Sequence, residues 1–165
     1  MPTKRKAEPA PTAAVRRIIA IDPGLKTGMC IFELVKDQEP MLIWSGEIDE
    51  DGYADVIRWQ LTHYPDTEVV CEIFKITMET AKKTQSAWSL ELIGVLKQTM
   101  RDFKRPVEDI HFQKPADAMN MFPNTALHKL EYWHRGGAGH ALDSIRHALL
   151  YMAKTGWKPI RLLRD

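Results

Sequence analysis

The chain has 165 residues, 44 % of them apolar and 27 % charged, with a net charge of +1. That length and balance suit one globular domain and exclude a collagenous, coiled-coil or wholly disordered chain. No apolar run approaches the roughly 18 residues needed to cross a bilayer, and no secretory apolar region is recognisable, so a soluble cytoplasmic protein without membrane contact is expected.

Residues 1–14 hold three prolines and the basic run Lys4-Arg5-Lys6. Such a composition cannot bury apolar surface, so a disordered basic arm is expected, followed by one domain over 15–165. Ile18-Ile19-Ala20-Ile21 is continuously apolar and rich in β-branched residues, as a strand covered on both faces should be. Pro23-Gly24 ends it, Met29–Phe32 returns, and Met41–Trp44 begins a third run after the polar turn 36–40. Links this short favour antiparallel neighbours. Tyr53–Tyr64 reads as a helix, Val69-Val70-Cys71 as a buried strand, and 84–103 as the longest helical pattern, with Trp88, Leu92, Leu96 and Met100 recurring every fourth residue. Val107–Phe112 reads as a fifth strand, Pro115–Met121 and Ala126–Trp133 as short helices, 136–139 as a glycine loop and His140–Lys154 as a closing helix. This order predicts an α/β fold, a mixed five-stranded sheet flanked by helices.

Charge is unevenly distributed. Residues 33–72 hold eleven acids and two bases, whereas 75–105 hold seven bases and three acids. Segregation of this kind produces a directional field even at small net charge, although solvated faces produce the same counts. Cys30 and Cys71 lie in apolar runs without metal-ligand spacing, which favours buried thiols.

Three acids stand where apolar residues or plain turns would be expected. Asp22 ends the first strand, and Glu72 interrupts the apolar run Val69–Phe74. Asp143 falls in the first turn of the closing helix, where the helix dipole favours negative charge. Taken singly, each has an ordinary structural explanation. If first strand, fourth strand and last helix meet at one sheet edge, the three supply hard oxygen ligands for Mg²⁺ or Mn²⁺. The helix was expected to turn Leu142, Ile145, Leu149 and Met152 to the core, with His140, Asp143, Ser144, His147 and Tyr151 on the opposite side.

Ile21-Asp22-Pro23-Gly24 with Thr27-Gly28, Val70-Cys71-Glu72, and His140-Ala141-Leu142-Asp143 resemble the three active-site blocks of the RuvC family of Holliday junction resolvases. The match runs over residues 17–155, and the closing helix is most similar to bacteriophage RuvC-like proteins. The resemblance implies an RNase H-like fold, a homodimer, and metal-dependent paired nicking of four-way DNA junctions, in the cytoplasm of a bacterial host if phage-encoded. Carried over by position, Asp22, Glu72 and Asp143 become catalytic metal ligands, and His140 stands at a fourth position often held by aspartate. Two ions about 4 Å apart would be expected, with Mn²⁺ favoured over Mg²⁺ by the imidazole. Lys114 resembles a basic position near the scissile phosphate, and Phe74 an aromatic that stacks on an opened base, here at a spacing different by one residue. Packing is the structural alternative for Phe74. Lys82 and Lys83, beside the expected site, are the remaining DNA-contact candidates. The stripe of Trp88, Leu92, Leu96 and Met100 is the candidate dimer face, unless the sheet uses it. An actin-like phosphotransferase would need a second phosphate loop and a longer chain. A junction-binding protein impaired in catalysis is the alternative function.

Overall fold

The computed structural model describes residues 15–74, 88–133 and 139–157. Five strands form one mixed sheet: β1 (Val15–Asp22), β2 (Thr27–Val35), β3 (Met41–Ile48), β4 (Glu68–Glu72) and β5 (Ile110–Gln113). Their spatial order is β3-β2-β1-β4-β5, with β1, β2 and β3 antiparallel in turn and β4 and β5 parallel to β1. The apolar first strand therefore lies at the centre. Ile18, Ile19, Ala20 and Ile21 are all fully buried, because alternate side chains enter two separate cores.

Ile19 and Ile21 face a layer made by α1 (Glu50–His63) and α2 (Trp88–Asp102), where Tyr53, Ile57, Leu96 and Met100 join them. Ile18 and Ala20 face α5 (Gly139–Lys154), with the short helices α3 (Pro115–Met121) and α4 (Asn124–Lys129) outside it. The predicted fold class holds: this is an RNase H-like mixed sheet flanked by helices.

Four local expectations change. The closing helix has no wet side: from Ala141 to Met152 every residue but Asp143 is buried, including Ser144, Arg146, His147 and Tyr151. Ala118, Phe122, Leu127 and Leu130 of the α3–α4 region cover what would have been its solvent face. The Leu92, Leu96 and Met100 stripe packs wholly onto the sheet, so it is not a spare apolar face for a second copy, and Trp88 is half-buried. Val107–Asp109 forms a 3-10 turn closed by Asp109 N–H to Pro106 O at 3.1 Å, which delays the fifth strand to Ile110. Finally, α4 stops at Lys129, because Glu131 adopts φ 61° and Tyr132 N–H bonds back to Leu127 O at 3.0 Å. That stop uses the left-handed conformation without the glycine that usually announces it.

The expected basic arm 1–14, Lys82, Lys83 and most of the glycine loop lie outside the described residues. Among the described residues no helix is long and apolar enough to cross a membrane.

Candidate metal centre

Asp22 and Glu72 reach the same sheet edge because β1 and β4 run parallel, paired through Ile21 and Cys71 one step earlier. Alternation along each strand turns both acids to the α5 side, like Ala20 and Val70 before them. The start of α5 then comes down onto the edge. Asp22 pairs with Gly28 on β2, and a Cβ added to Gly28 would lie 1.8 Å from the His140 carbonyl oxygen. Only glycine lets helix and strand backbones meet there. The approach is completed by His140 N–H, which donates to Glu47 Oε1 on β3 at 3.3 Å.

Asp22, only 6 % exposed, accepts or shares a proton with His140 across an Oδ2–Nδ1 distance of 2.8 Å. Asp143 follows one helical turn after His140. Ligand atoms of Asp22, His140 and Asp143 all lie within 4.8 Å of one another, a spacing that a single cation can bridge. Burial pushes the Asp22 carboxyl up to about 6, and the charges of Glu72 and Asp143 add to that rise against the bond from His140. Burial pulls the His140 imidazole down, but its bond to Asp22 and the charges of Asp22, Glu47 and Asp143 outweigh this and raise it. Crowded negative charge with an adjacent imidazole is the donor chemistry that suits a divalent transition ion.

Glu72 stands outside that compact trio. Its Oε2 lies 2.9 Å from His147 Nε2, and His147 Nδ1 lies 2.9 Å from Gln113 Oε1 at the end of β5. Asp143 is likewise held from behind: Arg146 donates to it, to Asn124 Oδ1 and, through Nε, to Phe122 O at 3.0 Å. Each acid thus has one basic partner, and all three partners come from α5. A cavity of about 180 Å³ opens beside them, lined by Glu72, Met119, Asp143, Arg146 and His147. Lys114 is exposed immediately after β5, at the same sheet edge. Phe74 is half-buried and packs against the α1–α2 core, which is its packing alternative.

Sequence reasoning missed Arg146, His147, Gln113 and Asn124 as parts of the site. Arg146 carried a signal, since it follows Asp143 by three residues and so shares its helix face. Gln113 and His147 are 34 residues apart, and His147 and Glu72 are 75 apart, so no local pattern joins them.

This order of strands, with carboxylates at the carboxyl ends of the two central parallel strands and on α5, is that of an RNase H-like fold. Among solved structures the chain is similar to T. thermophilus RuvC in complex with Holliday junction substrate, at 15 % identity and a TM-score of 0.60. It is also similar to a second Thermus thermophilus RuvC structure, at 13 % identity and a TM-score of 0.61. Both alignments cover 87 % of this chain and 99 % of the other. No protein-family model and no curated protein matches the sequence.

Proposed function

We propose that the protein is a divalent-metal-dependent endonuclease that resolves four-way DNA junctions by paired symmetric nicks. The observation that carries this reading is the gathering of Asp22, His140 and Asp143 within 4.8 Å, with Glu72 beside them, at the edge of a RuvC-like sheet. These four residues would hold Mg²⁺ or Mn²⁺, two ions per site, with His140 favouring Mn²⁺. A bound ion supplies an activated water and stabilises the leaving oxygen of a phosphodiester. The chain's own part is to hold carboxylates close despite their repulsion, and to keep Asp22 buried and oriented by His140. The products are a 5′-phosphate and a 3′-hydroxyl.

Lys114, Lys82 and Lys83 are the proposed DNA backbone contacts, and Phe74 a base-stacking residue if its packing opens. Two-fold cutting requires a homodimer, through a face other than the buried α2 stripe. We take the protein to be of the bacteriophage type, acting in the cytoplasm of a bacterial host.

A second reading is a junction-binding protein without cleavage. It is favoured by one feature, that His140, His147 and Arg146 already occupy the three acids. A nicking assay on a synthetic four-way junction separates the two. Wild type is expected to nick symmetrically, faster in Mn²⁺ than in Mg²⁺, and Asp22→Asn to bind without cutting. Binding by wild type with no cleavage in either metal would establish the second reading instead.

A further inference from the structure

His147 is 1 % exposed and lies in the middle of α5, between two strand ends. Its two ring nitrogens meet Glu72 Oε2 and the Gln113 side-chain amide, each at 2.9 Å. Gln113 is itself 5 % exposed, and its Nε2 is a buried nitrogen with no hydrogen-bond partner. With Oε1 towards His147, the amide strands a donor and requires Nδ1 to carry the ring proton. In a ring with one proton, Nε2 would then face the Glu72 carboxylate with a lone pair against a lone pair. Turned over, the amide donates from Nε2 to Nδ1, the ring proton sits on Nε2, and Nε2–H donates to Glu72. The group then left bare is a carbonyl oxygen, a cheaper orphan than an amide N–H.

We infer that Gln113 and His147 form a two-step clamp that holds Glu72 by one oxygen, with Gln113 donating to His147 Nδ1 and His147 Nε2–H donating to Glu72 Oε2. His147 is thereby a positioning residue: it touches no substrate, and it acts by fixing the carboxylate. Because Oε2 is taken, Oε1 is the oxygen left to offer a cation. The clamp also explains why Glu72 stands apart from the compact trio of Asp22, His140 and Asp143. The backbones that carry it are tied together, since Gln113 and Glu72 are paired across β5 and β4, and Ile73 N–H bonds Gln113 O at 2.8 Å. The role in metal binding rests on the nuclease reading above; the tautomer does not.

Two measurements on the full chain test it. The first is long-range ¹H–¹⁵N correlation of histidine-labelled, metal-free protein, with His147 assigned by the signal that His147→Gln removes. A proton on Nε2 with Nδ1 bare is expected; a proton on Nδ1 overturns the clamp. The second is Mn²⁺ titration calorimetry. His147→Leu should weaken Mn²⁺ binding by about 10- to 100-fold, while His147→Gln, which keeps a donor at the Nε2 position, should stay within about threefold of wild type. Equal loss in both variants would mean a packing role only and would overturn the positioning claim, as would wild-type binding in both. The two readings fail separately. Wild type that binds no Mn²⁺ yet carries the proton on Nε2 would sink the metal nuclease and leave the clamp. A protein that binds Mn²⁺ and nicks junctions with Nδ1 protonated would do the reverse.

Discussion

At Asp22, burial and charge pull against each other. Removing a carboxylate from water beside Glu72 raises its ordinary value of 3.8 to about 6, so at neutral pH the fold carries an ionised group it would rather hold as the acid. For a raised acid the favourable contribution is complete below the ordinary value and is lost as pH climbs through about 6. The difference is of the order of 3 kcal/mol, an upper bound because a replacement amide is also buried. Asp22→Asn is therefore expected to raise the urea midpoint of the metal-free protein above pH 6 and to give no gain well below pH 4. No gain at the higher pH would mean that Asp22 is not strained. Gly28 makes the opposite kind of demand. Its Cβ-sized space is already filled by the His140 carbonyl, so Gly28→Ala must push α5 off β2. A stability loss of about 2–3 kcal/mol is expected in urea denaturation, together with loss of Mn²⁺ binding. A neutral result would show that helix and strand can part at this point without cost.

Among the elements, α5 is the most instructive. Its existence and its start at the glycine loop were readable from a long apolar period, whereas Asp143, expected in the first turn, is the fifth residue because the helix begins at Gly139. Its environment was not. Helical periodicity reports where apolar residues lie, whereas Ser144, Arg146 and His147 are polar residues buried by partners elsewhere in the chain. The partners of His147 stand at the ends of β4 and β5, and those of Arg146 beside α3 and α4, helices of seven and six residues, too short to reveal which face they present. Leu127 is the clearest case: fully buried, on a helix of less than two turns, it seals the outer side of α5. Leu127→Ala is expected to cost about 3 kcal/mol by urea denaturation, within the range for a large buried side chain. A cost below about 1 kcal/mol would make the α3–α4 layer a loose cover. The strands were more legible, because an unbroken β-branched run such as Ile18–Ile21 has one common solution, burial on both faces.

Across the whole molecule, topology gathers the candidate site residues at one edge of the sheet. That Asp22, Glu72 and Asp143 stand near one edge was legible only as a condition on topology, supported by the family resemblance, and strand order meets the condition: the parallel β1 and β4 finish at one edge, where α5 begins. The pairing of each acid with a base of α5 did not follow, because it depends on side-chain reach across the packed layers. The same edge presents Lys114 to solvent. If this edge meets a DNA backbone, affinity falls linearly in log–log terms as salt rises, each phosphate contact contributing close to one unit of slope. Lys114→Ala should then weaken junction binding for every sequence alike and lower that slope by about one, measured by fluorescence anisotropy across a salt series. An unchanged slope would remove Lys114 from the interface.

The meeting of Gly28 with His140 also governs when the protein becomes competent. A ribosome that has translated as far as Gly137 has made Asp22 and Glu72, but neither the cover for one side of the sheet nor the remaining half of the donor set. Cover and donors thus arrive together with α5, and a nascent chain short of it holds only half of the acids and bases that meet at this edge.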